Sequence, residues 1–428
     1  MIEDLPDVPP AIPLLLSELV ATQGDIGSFR TRVKALLPEL KRQSEAYEVE
    51  GQSRVPSIAK PGEFSVYMDG GLNLFGSDGA CRDLACRIAA AERLARSMGL
   101  IADTIWLTDF ITEKFCRFGR VTKEKIEGVV GDTMVLAVLA PLIFKGVVKF
   151  RSPWIVACKD CMKKFGEAVD EITDNLLVEF SSEFSLSKKN QNFYAIETGD
   201  LYSPSLVWRI QKSRNNGEVP AIRAYVKNFT QIAVRTALWT GRDAAVGKGA
   251  IFSNSKLGLA GLARQDGKVR TLPELQALDE HRNVVLPWVS DLTPAQIVEL
   301  REEASKALPS LREMLAKRLT DSSVDEGGGS AADVIGELRQ QAVDVRNELE
   351  NTQKHAAKFW KSTYAMLGFG ISAYGIMSDQ ISPALGGLLP LVHLIMNHKA
   401  GSEKDIDKIE RRPGYVLVKA QDILAHAR

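Results

Sequence analysis

The spacing of hydrophobic residues changes several times along this chain, and each change marks a predicted element of secondary structure. Over residues 1–60 apolar side chains recur at steps of three and four, with Lys and Arg between them, which predicts helix. From Phe64 to Met68 the pattern alternates, which predicts a strand that ends in a turn at Asp69-Gly-Gly. A helix over 86–98 is predicted next.

The following part of the chain again predicts strands in alternation with helices. We expect a buried strand over 101–107 that leads to Asp109, and then a strongly apolar helix over 121–145. A short strand over 147–150 leads towards Cys158, and the segment after it again has helical spacing. This order is typical of a domain that combines a sheet with covering helices.

The middle and the C-terminal part are predicted to be mostly helical. Thr293-Pro294 places an N-cap before a proline at the first helical position. The glycine-rich segment 321–330 has the composition of a linker. After it, apolar residues step alternately by four and three, which predicts a heptad seam that binds a protein partner or a second copy of the chain. The predicted seam comprises Leu338, Ala342, Val345 and Leu349.

An apolar hairpin is predicted after the heptad helix. Ser362–Ser378 and Gln380–Asn397 contain no Asp, Glu, Lys or Arg, and Asp379 lies between them. A helix needs about 20 apolar residues to span a bilayer, so both segments are at the lower limit of length. We therefore expect the hairpin over 362–397 to be a soluble core element, and a membrane-perturbing hairpin is the alternative.

Together these patterns predict an α+β, helix-dominated fold with an N-terminal α/β domain that carries a four-cysteine metal site. The predicted parts are an N-terminal helical segment (1–60), the α/β domain with paired cysteines (61–200), a mostly helical middle domain (201–320), a linker (321–330), and a long heptad helix with an apolar hairpin and C-terminal segment (331–428).

Composition narrows the classes of function. A chain of 428 residues with 45% hydrophobic and 25% charged residues is typical of a soluble protein of two or three domains. Lys and Arg together number 54, and Asp and Glu together also number 54, so the net charge is zero. Because binding of nucleic acid relies on an excess of positive charge, no nucleic-acid partner is expected. The acidic N-terminus lacks the pattern of a secretory signal, so we expect a cytoplasmic protein.

Four of the five cysteines form two close pairs, and only Cys116 stands apart. Pairs of thiolates at this spacing, on two separate segments, are typical of a tetrahedral zinc site. Four cysteine ligands leave no open position on the metal, so the predicted zinc is structural. The predicted ligands are Cys81, Cys86, Cys158 and Cys161.

The second cysteine pair also has a resemblance of its own. A predicted strand, Trp154, Cys158-Lys-Asp-Cys161 and a helix follow one another, and this order is similar to thioredoxin-like oxidoreductases. The resemblance implies a thiol oxidoreductase. Trp154 is not adjacent to Cys158, as it is in that family, and Cys81 and Cys86 have no role in this interpretation.

Two further patterns bear on phosphate chemistry. Gly241–Gly249 resembles a phosphate-binding loop, but its glycines are too far apart and no Ser or Thr follows Lys248, so we expect a surface loop. Asp69 and Asp109 each end a predicted strand, and carboxylates that converge at strand ends can hold Mg²⁺ for phosphodiester hydrolysis. Aspartate is also an ordinary turn residue, so a metal-dependent nuclease is an alternative interpretation.

Several segments look like uncharacterised bacterial proteins without a known activity, and this resemblance implies a bacterial origin. The segments are Cys86–Arg96, Ala102–Asp109, Leu286–Val289, Glu299–Glu302 and Arg412–Lys419. The leading hypothesis is a non-enzymatic assembly or regulatory protein stabilised by structural zinc, with a role in bacterial stress or anti-phage defence. The alternatives are a membrane-perturbing effector that uses 362–397, and an enzyme, either a thiol oxidoreductase or a metal-dependent nuclease.

Overall fold

The chain forms two compact units, Met1–Leu94 with Ala102–Arg282, and Ala95–Ile101 with Asn283–Arg428. The computed structural model confirms a helix-dominated fold with a few strands. It describes residues 5, 7–51, 58–60, 63–69, 74, 81, 83–152, 157–189, 193–201, 207–211, 218–252, 255–265, 291–320, 337–338, 340–345, 348 and 403–426.

A four-stranded parallel sheet lies at the centre of the first unit. Its strands are β1 (Ser65–Met68), β2 (Thr104–Thr108), β3 (Val148–Arg151) and β7 (Ala250–Phe252). They lie in the order β3-β2-β1-β7, and each neighbouring pair is parallel. β1 and β2 are buried along almost their whole length, as expected for parallel strands that helices cover. The strands predicted over 64–68 and 147–150 are confirmed, and the strand predicted over 101–107 is present but begins at Thr104, because Ile101 is still part of a helix.

Helices precede and connect the first three strands. They are α1 (Ala11–Ala21), α2 (Ile26–Gly51), α3 (Leu84–Ile101), α4 (Phe110–Cys116) and α5 (Lys123–Phe144). Asp109 and Thr122 are the side-chain N-caps of α4 and α5, and Gly146, with a φ of 69°, follows the end of α5. Among the described helices, α5 is long and apolar enough to cross a bilayer, but 61% of its most apolar window is buried in the fold. Core packing therefore accounts for its composition.

Between β3 and β7 the chain folds into an insertion with its own core. The insertion contains α6 (Lys159–Phe180), the antiparallel strands β4 (Ser185–Lys189), β5 (Phe193–Glu197) and β6 (Val207–Gln211), and α7 (Glu218–Gly247), and α8 (Lys256–Gln265) follows β7. Leu176 of α6, Trp208 of β6, Val234 of α7 and Leu257 of α8 are buried in one cluster. The antiparallel sheet and β7 are absent from the prediction, and β7 lies beyond the predicted domain limit at residue 200.

The C-terminal end of α7 packs directly on β1. A Cβ atom on Gly247 would overlap the hydroxyl group of Tyr67, and a Cβ atom on Gly249 would come within 2.8 Å of the carbonyl oxygen of Ser65. The glycines thus permit a close approach of helix and strand. The predicted surface loop over 241–249 is wrong, because residues 241–247 are helical and Gly247 is buried.

The second unit is a cluster of helices. Its helices α9 (Pro294–Glu303), α10 (Leu308–Thr320), α11 (Glu403–Glu410) and α12 (Gly414–His426) accompany the last turns of α3. Thr293 and Gln296 form a capping box at the start of α9, which confirms the predicted helix start. Arg301 donates to the carbonyl oxygen of Gly99 at 2.7 Å, and Arg312 donates to that of Ile101 at 2.5 Å. These arginines satisfy carbonyl groups at the end of α3 that have no partner within the helix.

Three of the four predicted seam residues lie in the core of the second unit. Leu338, Ala342 and Val345 are 1%, 4% and 0% exposed and belong to one buried cluster with residues of α9, α10 and α12. Packing within the chain therefore accounts for their apolar character. Leu349 and the hairpin over 362–397 lie outside the described residues. The partner surface and the behaviour of the hairpin stay predictions.

Val345→Asp should unfold the second unit without dissociating an oligomer. The substitution places a carboxylate at a fully buried position, which should cost about 3 kcal/mol or more of unfolding free energy. Urea unfolding followed by circular dichroism measures this cost, and analytical ultracentrifugation measures the mass. The control is Gln340→Ala at an exposed position nearby, which should change stability by less than about 0.5 kcal/mol. A loss of oligomeric mass in a folded Val345→Asp protein would support self-association instead.

Candidate functional site

The carboxyl ends of the four parallel strands meet at one edge of the sheet, which we call the carboxyl edge. From β1 the chain moves outward to β2 and β3, and it then returns to place β7 on the other side of β1. The direction of strand order therefore reverses between β1 and β7. In open parallel sheets, ligands bind outside the carboxyl ends of the strands beside such a reversal. The residue that follows β1 is thus the first candidate for a site, and the end of the neighbouring strand β2 lies next to it.

Both aspartates that the sequence suggests as Mg²⁺ ligands lie at the carboxyl edge. Asp69 directly follows β1, and Asp109 directly follows the neighbouring strand β2. Because Tyr67 and Trp106 are register partners, Asp69 lies level with Thr108, and Asp109 is one residue further along the chain. They are 2% and 3% exposed. Aspartate is rarely buried to this extent unless it is paired or coordinates a metal.

The carboxyl group of Asp109 is held at the start of α4. Its Oδ1 atom accepts a hydrogen bond from the backbone N–H of Thr112 at 2.9 Å, as an N-cap does. Burial nevertheless raises the pKa of Asp109 to about 6, because the loss of hydration outweighs the hydrogen bonds from Thr112. The ionised form of this side chain is therefore held at a cost in stability.

The face of the sheet that packs against α7 carries a row of polar residues at the carboxyl edge. Thr108 and Arg151 are register partners, and the alternation along β1 places Asp69 beside Thr108. The side chain of Arg151 is 3% exposed. Its Nη1 atom donates to Oδ2 of Asp243, and its Nη2 atom donates to Oγ1 of Thr240, both at 2.7 Å. Helix α7 thus contributes two side chains to this edge.

Three buried donor groups on the same face have no hydrogen-bond acceptor among the described residues. They are Nε of Arg151, Nε1 of Trp106 and Oη of Tyr67. The rings of Tyr67 and Trp106 are stacked with centroids 6.0 Å apart. Burial, assisted by the charge of Asp243, raises the pKa of Tyr67 to about 12, so its hydroxyl keeps its proton at neutral pH. The α7 face is therefore rich in hydrogen-bond donors.

A buried ion cluster anchors the segment between β1 and α3. Asp132 of α5 accepts hydrogen bonds from Arg87 of α3 and from Lys114 of α4, and the side chains of Arg87 and Asp132 are 8% and 2% exposed. Nε of Arg87 also donates to the carbonyl oxygen of Leu74 at 2.8 Å. The cluster connects three helices to the segment that follows Asp69. Both carboxylate oxygens of Asp132 accept a hydrogen bond from one of these cations, which fits a structural role.

The four cysteines predicted to bind zinc lie at or just before the starts of two helices. Cys86 is in the first turn of α3, Cys158 immediately precedes α6, and Cys161 is in the first turn of α6. A hydrogen bond with the thiol of Cys81 raises the pKa of Cys86. The backbone N–H of Cys161, which is 3.4 Å from the sulfur of Cys158, lowers the pKa of Cys158. Each pair is thus close within itself.

The structure does not bring the two cysteine pairs together into a metal site. In the part of the chain that is described, no group of three or more His, Cys, Asp or Glu side chains is arranged to hold a metal ion. Cys81 packs against the core of the insertion, as does Phe165, which lies four positions beyond Cys161 in α6. The zinc site stays a prediction.

Sequence reasoning missed Arg151, Thr240 and Asp243. Thr240 and Asp243 are 89 and 92 positions from Arg151 in the sequence, and only the fold brings them together. One signal was present, because Arg151 is a charged residue that directly continues the apolar pattern of a predicted strand. A charge at the carboxyl end of a buried strand indicates a group that needs a partner or a ligand.

The chain matches no protein-family model, no curated protein and no solved structure.

Asp109→Asn should stabilise the first unit at neutral pH. Asparagine is an equally good N-cap, and it removes the carboxylate that burial disfavours. Because the pKa of Asp109 in the folded protein, about 6, lies above its ordinary value of 3.8, the native state binds the proton more tightly than the unfolded chain does. The contribution of Asp109 is therefore favourable in acid and is lost as the pH rises through about 6.

A shift of this size corresponds to about 2–3 kcal/mol of unfolding free energy. Urea unfolding of metal-free wild type and Asp109→Asn, in the presence of a chelator, at pH 4 and pH 7 measures the difference. The variant should have a higher free energy of unfolding than wild type at pH 7, and most of this difference should disappear at pH 4. Equal stability of the two proteins at pH 7 would contradict the assignment of a costly buried carboxylate.

Proposed function

We propose that the first unit binds a divalent cation at the carboxyl edge through Asp69 and Asp109 and hydrolyses phosphodiesters there. The observation that carries the proposal is the position of two buried aspartates after neighbouring parallel strands, of which Asp69 lies beside the reversal of strand order. This develops the metal-dependent nuclease alternative from the sequence, and it favours an enzyme over a purely structural protein.

The chemistry of the two aspartates fits Mg²⁺ or Mn²⁺. These ions prefer oxygen ligands, and Mg²⁺ is usually held by one or two carboxylates together with water and substrate phosphates. A third acidic residue is therefore not required. A bound cation also offsets the electrostatic cost of two buried carboxylates. In such a site the ion supplies Lewis acidity and makes a coordinated water a better nucleophile.

The balance of charge on the chain favours a short phosphodiester over a long nucleic acid. Its 54 basic and 54 acidic residues leave no net charge, so the release of counterions contributes little to the binding of a polyanion. A short diester needs only the local contacts of the carboxyl edge. This agrees with the expectation that nucleic acid is not a partner.

Hydrolysis of bis(4-nitrophenyl) phosphate in the presence of Mn²⁺ tests the proposal. Asp69→Asn should lower kcat/KM by about 100-fold or more, because it removes one of two charged ligands of the cation. The control is Asp174→Asn, which removes an exposed carboxylate of α6 that pairs with Lys227 and should leave the activity unchanged. Parallel assays with a dinucleotide and with long single-stranded DNA distinguish short from long substrates. A wild-type protein that hydrolyses none of these with Mg²⁺ or Mn²⁺ would contradict the proposal.

A structural zinc ion is a second proposal and is compatible with the first. It is favoured by the two cysteine pairs, each of which lies at the start of a helix that follows a strand of the parallel sheet. In this interpretation the zinc stabilises an assembly or regulatory protein. The part in bacterial stress or anti-phage defence is proposed from the resemblance alone. The cytoplasmic location and the membrane-perturbing alternative stay predictions as well.

Protein purified without added metal should contain about one zinc ion per chain, and Cys158→Ser should lose it. Because zinc binding contributes directly to folding, the variant should also melt at a lower temperature. Inductively coupled plasma mass spectrometry measures the metal, and the control is Cys116→Ser at the cysteine outside the predicted site. A zinc-free protein that cycles between a Cys158–Cys161 disulfide and two thiols would support the oxidoreductase alternative instead.

A further inference from the structure

Arg151 is an unusual residue for the carboxyl end of a parallel strand. Its side chain is 3% exposed, and its Nε–H is buried without an acceptor among the described residues. A buried donor that lacks an acceptor costs about 1–3 kcal/mol, and more when the group is charged. An ion pair of purely structural use is often replaced by apolar residues without loss of stability. The arrangement is therefore more easily understood if the free N–H serves a ligand.

The two terminal nitrogens of Arg151 are clamped by α7, which fixes the direction of Nε–H. Nη1 donates to the carboxylate of Asp243, and Nη2 donates to the hydroxyl of Thr240. The Thr240 hydroxyl in turn donates to the carbonyl oxygen of Thr236 at 2.9 Å, so its proton is engaged and only its lone pairs are left for the guanidinium. The side chain of Arg151 is thus preorganised, and its Nε–H is left for a further partner.

The position of Arg151 connects it with the candidate cation site. The backbone N–H of Asp109 donates to the carbonyl oxygen of Arg151 at 2.9 Å, so the ends of β2 and β3 are in direct contact. Arg151 also lies in the same cross-strand row as Thr108 and Asp69. A group bound at the carboxyl edge therefore has the carboxylate of Asp69 and the guanidinium of Arg151 on one face of the sheet, and Asp109 lies one residue beyond Thr108.

We infer that Arg151 binds a phosphate oxygen of the substrate through its Nε–H and is a substrate-binding residue of the proposed phosphodiesterase. A phosphate diester only accepts hydrogen bonds, and a guanidinium is the side chain best matched to it. Asp243 and Thr240 are positioning residues, since they orient the guanidinium. This inference rests on the proposed function for the identity of the substrate, but the binding of phosphate by Arg151 is measurable separately.

Asp243 also sets the charge of the site. It neutralises Arg151, so the protein side of the site keeps the negative charge of Asp69 and Asp109 in the absence of a cation. Phosphate should therefore bind weakly to metal-free protein and more tightly once Mn²⁺ is present. This dependence is what separates a cation–phosphate site from a simple surface anion site.

The experiment is a calorimetric titration of inorganic phosphate into the whole chain, with and without Mn²⁺. Arg151→Lys keeps the positive charge but loses the planar fork and should weaken phosphate binding by about 10-fold or more while leaving Mn²⁺ binding unchanged. Thr240→Val removes only one clamp and should have a smaller effect in the same direction. The control is Arg235→Gln, which changes an exposed arginine of the same helix α7.

A second variant separates loss of phosphate binding from loss of folding. It is needed because the loss of Arg151 alone leaves Asp243 without its partner. The double variant Arg151→Gln with Asp243→Asn replaces the ion pair by two neutral amides and buries no uncompensated charge. It should remain folded by circular dichroism and should bind Mn²⁺ but not phosphate.

The outcomes separate the inference from the proposed function. If wild type binds Mn²⁺ and both Arg151 variants keep its phosphate affinity, the role of Arg151 is overturned and the cation site stands. If wild type binds no Mn²⁺, the proposed function fails, and the phosphate titration then tests only whether Arg151 binds phosphate. In that case, phosphate binding that is lost in both variants supports the role of Arg151, and a wild type that binds no phosphate overturns it.

Discussion

The parallel pairing of β7 with β1 is the contact on which the rest of the first unit depends. It involves only Val66 to Met68 opposite Ala250 to Phe252. It nevertheless returns the chain to the sheet after the long insertion that begins beyond Arg151. The entropic cost of such a closure grows slowly with length, so a large insertion is tolerated if its two ends meet well. They meet because Gly247 and Gly249 let α7 lie against Tyr67. The same contact creates the reversal of strand order beside Asp69.

Much of the central sheet was predictable because its signals are local. β1, β2 and β3 are short runs of β-forming residues bounded by turn residues, and α5 and α9 begin at clear N-caps. β4, with the sequence Ser-Leu-Ser-Lys-Lys, has too little apolar character to stand out, and β7 has only three residues. Such strands are specified by their neighbours in the sheet more than by their own composition.

Contacts between distant segments account for what the sequence could not predict. The heptad spacing correctly marked Leu338, Ala342 and Val345 as a buried face, but a period of three and four does not state whether the covering helix belongs to the same chain or to another. Asp69 and Asp109 could be selected from the sequence, because each follows a predicted strand. The contact of Arg151 with Thr240 and Asp243 could not be predicted in this way. The first pair follows from the alternation of strands and turns, and the second set requires the fold of α7.

The insertion between β3 and β7 therefore contributes residues to the carboxyl edge of the sheet. The carboxylates of the proposed site lie at the ends of β1 and β2, whereas the guanidinium of Arg151 is oriented by Thr240 and Asp243, which belong to the insertion. A local opening of α7 would release the guanidinium of Arg151 from Thr240 and Asp243. Since local opening costs less than global unfolding, the proposed cation-binding and phosphate-binding halves of the site need not be equally stable. The proposed site is complete only when α7 is docked on the sheet, so the proposed binding of a phosphate group would depend on the packing of the insertion.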